Sequence, residues 1–411
     1  MGKRVVYLHI GAPKTGTTYL QSIIWANQDV LASRGVLVPG RNRFDHFSAG
    51  FDLRGVKQER GDPRKSWHGA WDALANKINE SYHKIAVVSD ERLASCRIRE
   101  AARVVESFAP AEVHVVYVTR APAGLLSAAW QEHVKHGYAR TFEDWLADTL
   151  NPTGNEWYWK VHDVAEVLRR WNTAVPRENT HVVTLPPRDS APDLLWQRFC
   201  SVLRISPDGV DTEATKSNVS LGVEGAEVMR RVNEKLPEDF PTWQQIGVGR
   251  EMLANNVLAK RPDKTPIGVP ERLAEQVADY TERLIAAIKE SGVEVTGDLG
   301  ELDVPLVPSG GEPDEQAVMA AAVDGLAGLV RQTGELRDDW RRTRRELREE
   351  RAKRKAAVRR AMVAEAALRN EKVKAAADSS RTLRIKRRVV ALGRRSRAVA
   401  AMLRTYRRLR R

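Results

Sequence analysis

The run Gly11-Ala-Pro-Lys-Thr-Gly-Thr-Thr18 holds two glycines, one lysine and three threonines within eight residues. This composition suits a phosphate-like anion. Glycines let backbone N–H groups converge, threonine hydroxyls add donors, and the lysine adds charge. A nucleoside-triphosphate loop reads G-x-x-x-x-G-K-[ST], with its lysine directly after the second glycine. Gly11 and Gly16 keep that spacing, but Thr17 stands where the lysine would be, and the lysine lies inside the loop at Lys14. A lysine there lies over the terminal group of a donor shorter than a triphosphate.

Such a loop needs a strand to enter it and a helix to leave it. Val5–Ile10 is a short apolar run and reads as a buried strand. Thr17–Arg34 carries Leu20, Ile23, Ile24 and Leu31 at helical spacing, with Gly35 placed as a C-cap. Lys84–Ser89, Val113–Thr119 and His181–Thr184 read as further strands. Helices follow them, ending near Phe108, spanning Pro122 to about His136, and spanning Leu194–Leu203. Low-charge, β-rich runs alternating with helices predict an α/β fold, a central parallel sheet flanked by helices. The chain is expected to form an α/β domain over 1–304, helical from about 205, with helices at Gly222–Leu236 and about Pro270–Ser291. A linker at 305–313 would lead into a helical, strongly basic C-terminal extension over 314–411. In the extension Met319, Val323, Leu326 and Val330, then Leu336, Trp340, Thr343 and Leu347, keep coiled-coil spacing until the charged run Arg348–Lys355.

With its preceding strand, the string Pro13-Lys14-Thr15-Gly16-Thr17-Thr18 resembles the 5′-phosphosulfate-binding loop of sulfotransferases that use 3′-phosphoadenosine 5′-phosphosulfate (PAPS). The wider run from His9 to Gln21 is close to that of bacterial members. The resemblance covers roughly residues 4–240. It implies PAPS as co-substrate, no metal, and donor contacts from Pro13, Lys14, Thr15, Gly16, Thr17 and Thr18. It also implies a strand-end arginine and a serine on the next helix holding the donor's 3′-phosphate. Arg120 matches the arginine, and a strand-end arginine beside a helix N-terminus is a good phosphate clamp in its own right. The family's serine lies eight residues on, where this chain has Ala128; Ser127 stands one residue earlier. Sulfuryl transfer also needs a group to take the acceptor's proton. Asp90-Glu91 follows the Lys84–Ser89 strand, and by resemblance to polysaccharide-modifying members Glu91 is the base. Asp90 is second choice, and His46 in Phe44-Asp-His-Phe-Ser48 a weaker rival. The same dyad could instead cap a helix. Trp157-Tyr158-Trp159, read as lying between helices, could stack on a sugar or anchor a core. Lys216-Ser217-Asn218 could help to close the donor site.

The function expected is sulfotransfer from PAPS to a hydroxyl or amine of a carbohydrate, glycolipid or small molecule. A P-loop phosphotransferase, or a non-catalytic nucleotide or carbohydrate binder on this fold, remains open. No G-x-G-x-x-G follows a strand, which excludes a Rossmann dehydrogenase. The nine histidines show no metal-ligand spacing. Cys96 and Cys200 are expected to be buried free thiols in a reducing cytoplasm. No apolar run is long enough to span a membrane. The net charge of +13 is unevenly spread. Residues 337–411 hold 28 basic and 8 acidic residues, net +20, leaving −7 for 1–336. Such a tail suits an anionic membrane surface on the cytoplasmic face, nucleic acid being the less favoured polyanion, or self-association through the helix.

Overall fold

A computed structural model describes residues 3–58, 62, 66–151, 153–213, 220–309 and 311–409. Among the described residues six strands form one sheet: β1 (Val5–Gly11), β2 (Val36–Leu37), β3 (Ile85–Ser89), β4 (Glu112–Thr119), β5 (Thr180–Thr184) and β6 (Glu294–Thr296). Their order is β2-β3-β1-β4-β5-β6, and every neighbouring pair is parallel. Helices cover both faces, so each strand must be apolar on both sides. In β1, Val6, Leu8 and Ile10 enter one core while Tyr7 enters the other; in β4, Val113, Val115 and Tyr117 oppose Val116 and Val118. The fold is the α/β arrangement the alternating pattern implies.

The sheet order places the site. The chain lays β2 and β3 on one side of β1, then crosses to lay β4 on the other. Open parallel sheets bind ligands beyond the strand C-termini where the order reverses. Here that position lies beyond β1 and β4, between the Gly11–Thr18 loop and Arg120.

Several local expectations are corrected. Thr17–Arg34 is two helices, Thr17–Ala26 and Gln28–Ser33, not one. The break is at Asn27, whose Nδ2 donates to the Ile23 and Asp211 carbonyls, each at 2.9 Å. Phe44–Ser48, with His46, lies in the helix Arg43–Leu53, which Asn42 caps. Trp157–Trp159 lies inside the helix Glu156–His162. Tyr158 is buried, Trp159 donates to the Thr149 carbonyl, and Trp157 is exposed under the Arg54 guanidinium. Both cysteines are free and buried.

The chain divides into two units, 1–330 and 331–411. In the first, the segment around Val307 is hydrogen-bonded to the body, with Val269 N–H donating to the Val307 carbonyl at 2.8 Å and Ser309 N–H to that of Val269 at 2.9 Å. The helix Glu315–Arg395 begins within this unit, where Val318 and Ala321 are buried and Arg261 pairs with Asp324 at 2.9 Å. In the second unit the helix continues, followed by Arg397–Leu409. Its apolar side chains, from Leu336 and Trp340 to Leu392 and Met402, are exposed. Among the described residues, no helix is long and apolar enough to cross a membrane.

Candidate active site

The loop after β1 is tied down before it can bind anything. Ala12 N–H donates to the Val118 carbonyl at 2.8 Å, and Thr15 Oγ1 donates to the Ala12 carbonyl at 2.6 Å. Gly16 has φ 90, and a β-carbon there would stand 2.5 Å from Leu195 Cδ2. Lys14 itself adopts φ 66. A non-glycine residue in the left-handed region costs roughly 1–2 kcal/mol, so the loop holds this residue in place against a local preference. Thr17 is buried, and the first turn of its helix has no side-chain cap and no acidic residue.

Arg120 arrives from the end of β4, on the other side of the crevice. Its Nη1 donates to the Lys14 carbonyl at 3.2 Å, so the two halves touch. The guanidinium lies across Gly124, where a β-carbon would stand 2.7 Å from Nη2. Burial lowers the Arg120 pKa, and Arg188, from the segment after β5, lowers it further. Among the described residues no carboxylate pairs with Arg120. A partly buried guanidinium under the field of a second arginine suits an anion. Ser127 lies one turn along the same helix, and its Oγ donates to the Gly124 carbonyl at 3.3 Å.

Lys14 Nζ is held at 2.5 Å by Glu132, which also takes Arg250 Nη2 at 3.0 Å. Burial would raise the Glu132 pKa, but Lys14, Arg250, His136 and Lys135 outweigh it and hold the carboxyl well below its usual range. Burial lowers Lys135 to about 8 against the pull of Glu132. Around one carboxylate thus stand Lys14, Arg250 and Lys135, an excess of positive charge beside the loop.

The three base candidates have different surroundings. Glu91 lies directly under the loop: a β-carbon on Gly11 would stand 3.0 Å from Glu91 Cα. Its Oε2 accepts from Gln21 Nε2 at 2.9 Å, which leaves carboxylate lone pairs over. Asp90 is buried, caps the turn that follows β3, and takes Arg92 through both oxygens at 2.8 Å. Arg92 in turn lies 3.5 Å from the Phe47 ring centre. His46 is buried with both ring nitrogens engaged, Nε2 donating to the Pro39 carbonyl at 2.7 Å and Nδ1 accepting from Ser89 N–H at 3.2 Å. Burial lowers its pKa to about 4. Asp90 and His46 are thereby built into the scaffold, while Glu91 stands at the loop.

Lys216-Ser217-Asn218 lies outside the described residues. Sequence reasoning missed Glu132, Arg250 and Arg188. Glu132 and His136 stand four apart on the helix that starts beside Arg120, a spacing that signals a shared face. Arg250 had no such signal, because only folding brings Gln245–Asn255 to that helix. Among the described residues no group of three or more His, Cys, Asp or Glu side chains converges to hold a metal ion.

No protein-family model and no curated protein matches the sequence. Solved structures do show a likeness. A sulfotransferase from Alicyclobacillus acidocaldarius aligns over 53% of this chain and 88% of its own, at 18% identity and a TM-score of 0.35. The sulfotransferase domain from the curacin biosynthetic pathway aligns over 60% of this chain and 97% of its own, at 11% identity and a TM-score of 0.26. At these identities and scores the likeness assigns no activity to this chain.

Proposed function

We propose that this chain transfers a sulfuryl group from PAPS to a hydroxyl or amine, the acceptor being a carbohydrate, a glycolipid or a small molecule. The observation that carries this reading is the join between Arg120 and the Lys14 carbonyl across the crevice. It sets an arginine that no carboxylate among the described residues pairs with beside a glycine-walled loop with a lysine inside it. Two anionic ends of one donor would then be held by two different strand ends. Pro13 to Thr18 would cradle the 5′-phosphosulfate, and Arg120, with Ser127 released from its helix carbonyl, would take the 3′-phosphate. Lys14 would meet the charge that develops on the leaving phosphate. Glu91 would accept the acceptor proton as the acceptor oxygen or nitrogen bonds to sulfur. The sulfur–oxygen bond to the phosphate breaks, leaving 3′-phosphoadenosine 5′-phosphate (PAP) and the sulfated acceptor.

Titration calorimetry with PAP and with ATP–Mg²⁺ tests the reading. PAP should bind the wild-type chain, and ATP–Mg²⁺ should bind far more weakly. Tight ATP–Mg²⁺ binding without PAP binding would favour a phosphotransferase instead. PAP binding without turnover of PAPS against any acceptor would favour a non-catalytic binder.

We also propose that residues 337–411 dock on an anionic lipid surface. In Leu383–Arg394 the apolar side chains Leu383, Ile385, Val389, Val390 and Leu392 are exposed among Arg384, Lys386, Arg387, Arg388 and Arg394. Exposed apolar groups favour a lipid interface over nucleic acid, and the net charge of +20 opposes pairing with a second copy.

A further inference from the structure

Lys14 is not presented alone. Its ammonium is paired with Glu132, and Glu132 is shared with Arg250. Arg250 comes from Gln245–Asn255, which is π-helical, a conformation seldom kept without a local reason. That segment is fixed to the helix Pro122–Lys135 from beneath. Gln245 is buried, and its Nε2 donates to Asn233 Oδ1 at 3.2 Å and toward the Lys135 carbonyl at 3.4 Å. The next residue on that side, His136, completes the cluster. Its Nδ1 donates to the Glu132 carbonyl at 2.7 Å, leaving Nε2 as acceptor for Arg250 Nη1 at 3.3 Å. Neutral His136 therefore fixes Arg250 without adding charge. One carboxylate divides its two oxygens between two cations, Lys14 on Oε2 and Arg250 on Oε1.

We propose that Glu132 and Arg250 are positioning residues for Lys14: the carboxylate holds the ammonium, and Arg250, by competing for the same carboxylate, sets how firmly it is held. This rests on the reading of the Gly11–Thr18 loop as the donor site. An incoming sulfonate or phosphate must draw Lys14 from Glu132, and Arg250 makes that exchange easier by satisfying the carboxylate left behind. The two residues therefore act on Lys14 with opposite sign. Glu132→Gln should free the ammonium, and Arg250→Met should bind it more tightly. Two residues that served only packing, out of reach of the ammonium, would leave Lys14 unmoved.

The direct test is competitive acetylation of the folded protein with acetic anhydride, reading Lys14 by peptide mass spectrometry against the other lysines. Reactivity follows the fraction of free amine. An ammonium held in a close pair with a carboxylate is less available to the anhydride than one released from it. Lys14 acetylation should rise in Glu132→Gln and fall in Arg250→Met. Arg250→Lys, which keeps the charge, should stay near wild type. Thermal melts show whether each variant is folded, and Arg250→Gln, which also removes the charge, replaces Arg250→Met if that variant does not fold. PAP affinity should then rise in Glu132→Gln and fall in Arg250→Met. Equal or same-sign changes at Lys14 would overturn the proposal. If the wild-type chain binds no PAP, the donor-site reading fails, while acetylation still decides whether Glu132 and Arg250 control Lys14.

Discussion

The Arg120 guanidinium donates to the backbone carbonyl of Lys14 at 3.2 Å, joining the end of β4 to the loop that ends β1. One side chain thus braces the loop and keeps its remaining N–H groups for a ligand. Arg120→Ala should weaken PAP binding much more than binding of adenosine 5′-phosphosulfate, which lacks the 3′-phosphate. Loss of a charged hydrogen-bond partner costs about 1.5–3 kcal/mol, or roughly 10–150-fold in affinity. Equal losses for the two ligands would mean that Arg120 braces the loop without reading the 3′-phosphate.

Lys14→Ala should lower sulfotransfer by about 10²–10³, the usual effect of removing one preorganised charge-stabilising group. The fold should survive, because the side chain is at the crevice and not in either core. Near wild-type consumption of PAPS would remove Lys14 from the reaction.

Glu91→Gln should lower turnover by about 10²–10⁴ with little change in PAP affinity, since basicity is lost and shape is kept. Asp90→Asn should act differently. It breaks a buried two-oxygen pair with Arg92, so the melting temperature should fall along with activity. A turnover defect confined to Asp90→Asn or His46→Ala, with stability unchanged, would assign the base elsewhere.

Acid should destabilise this protein earlier than carboxylate titration alone would. Burial lowers His9 and His46 to about 4 and His162 to about 3. An unfolded histidine titrates near 6.5. Below that pH the unfolded chain takes up protons that the folded chain refuses. Stability is therefore full above about 6.5 and falls as pH drops toward 4. Each histidine contributes about 1.4 kcal/mol per pH unit in that window. Urea midpoints at pH 7.5, 6.5 and 5.5 check the sign: the first two should be close and the third clearly lower.

The full-length protein should sediment with anionic vesicles at low salt and stay in solution with neutral ones. A chain ending at Leu336 should not sediment with either, and it keeps the buried turns at Val318 and Ala321. Each Lys or Arg at such a surface contributes on the order of 1 kcal/mol, so salt should release the protein. Full-length protein remaining in solution with anionic vesicles at low salt would refute lipid docking.

The strands were legible because burial on both faces leaves a plain mark, runs such as Val113–Thr119 with almost no charge. The loop was legible because its glycines and lysine are contiguous. Asn27 was not read as a break, since nothing in its own neighbourhood announces that its side chain reaches Asp211. The edge strands Val36–Leu37 and Glu294–Thr296 are too short to show periodicity. His46 looked chemical in sequence, and only the packing shows both its nitrogens engaged. Glu132 and Arg250, 118 residues apart, meet only after the Gln245–Asn255 segment has docked.

Because β1 pairs with both β3 and β4, the loop shares one central strand with Glu91 on one flank and Arg120 on the other. The three groups are geared to a single shaft. A one-residue slip of β1 would carry Lys14 about 3.3 Å past both neighbours at once. Tuning the acceptor side is therefore work for the surrounding helices and loops, which can vary without turning that shaft, whereas a change within β1 reaches donor loop, clamp and base together.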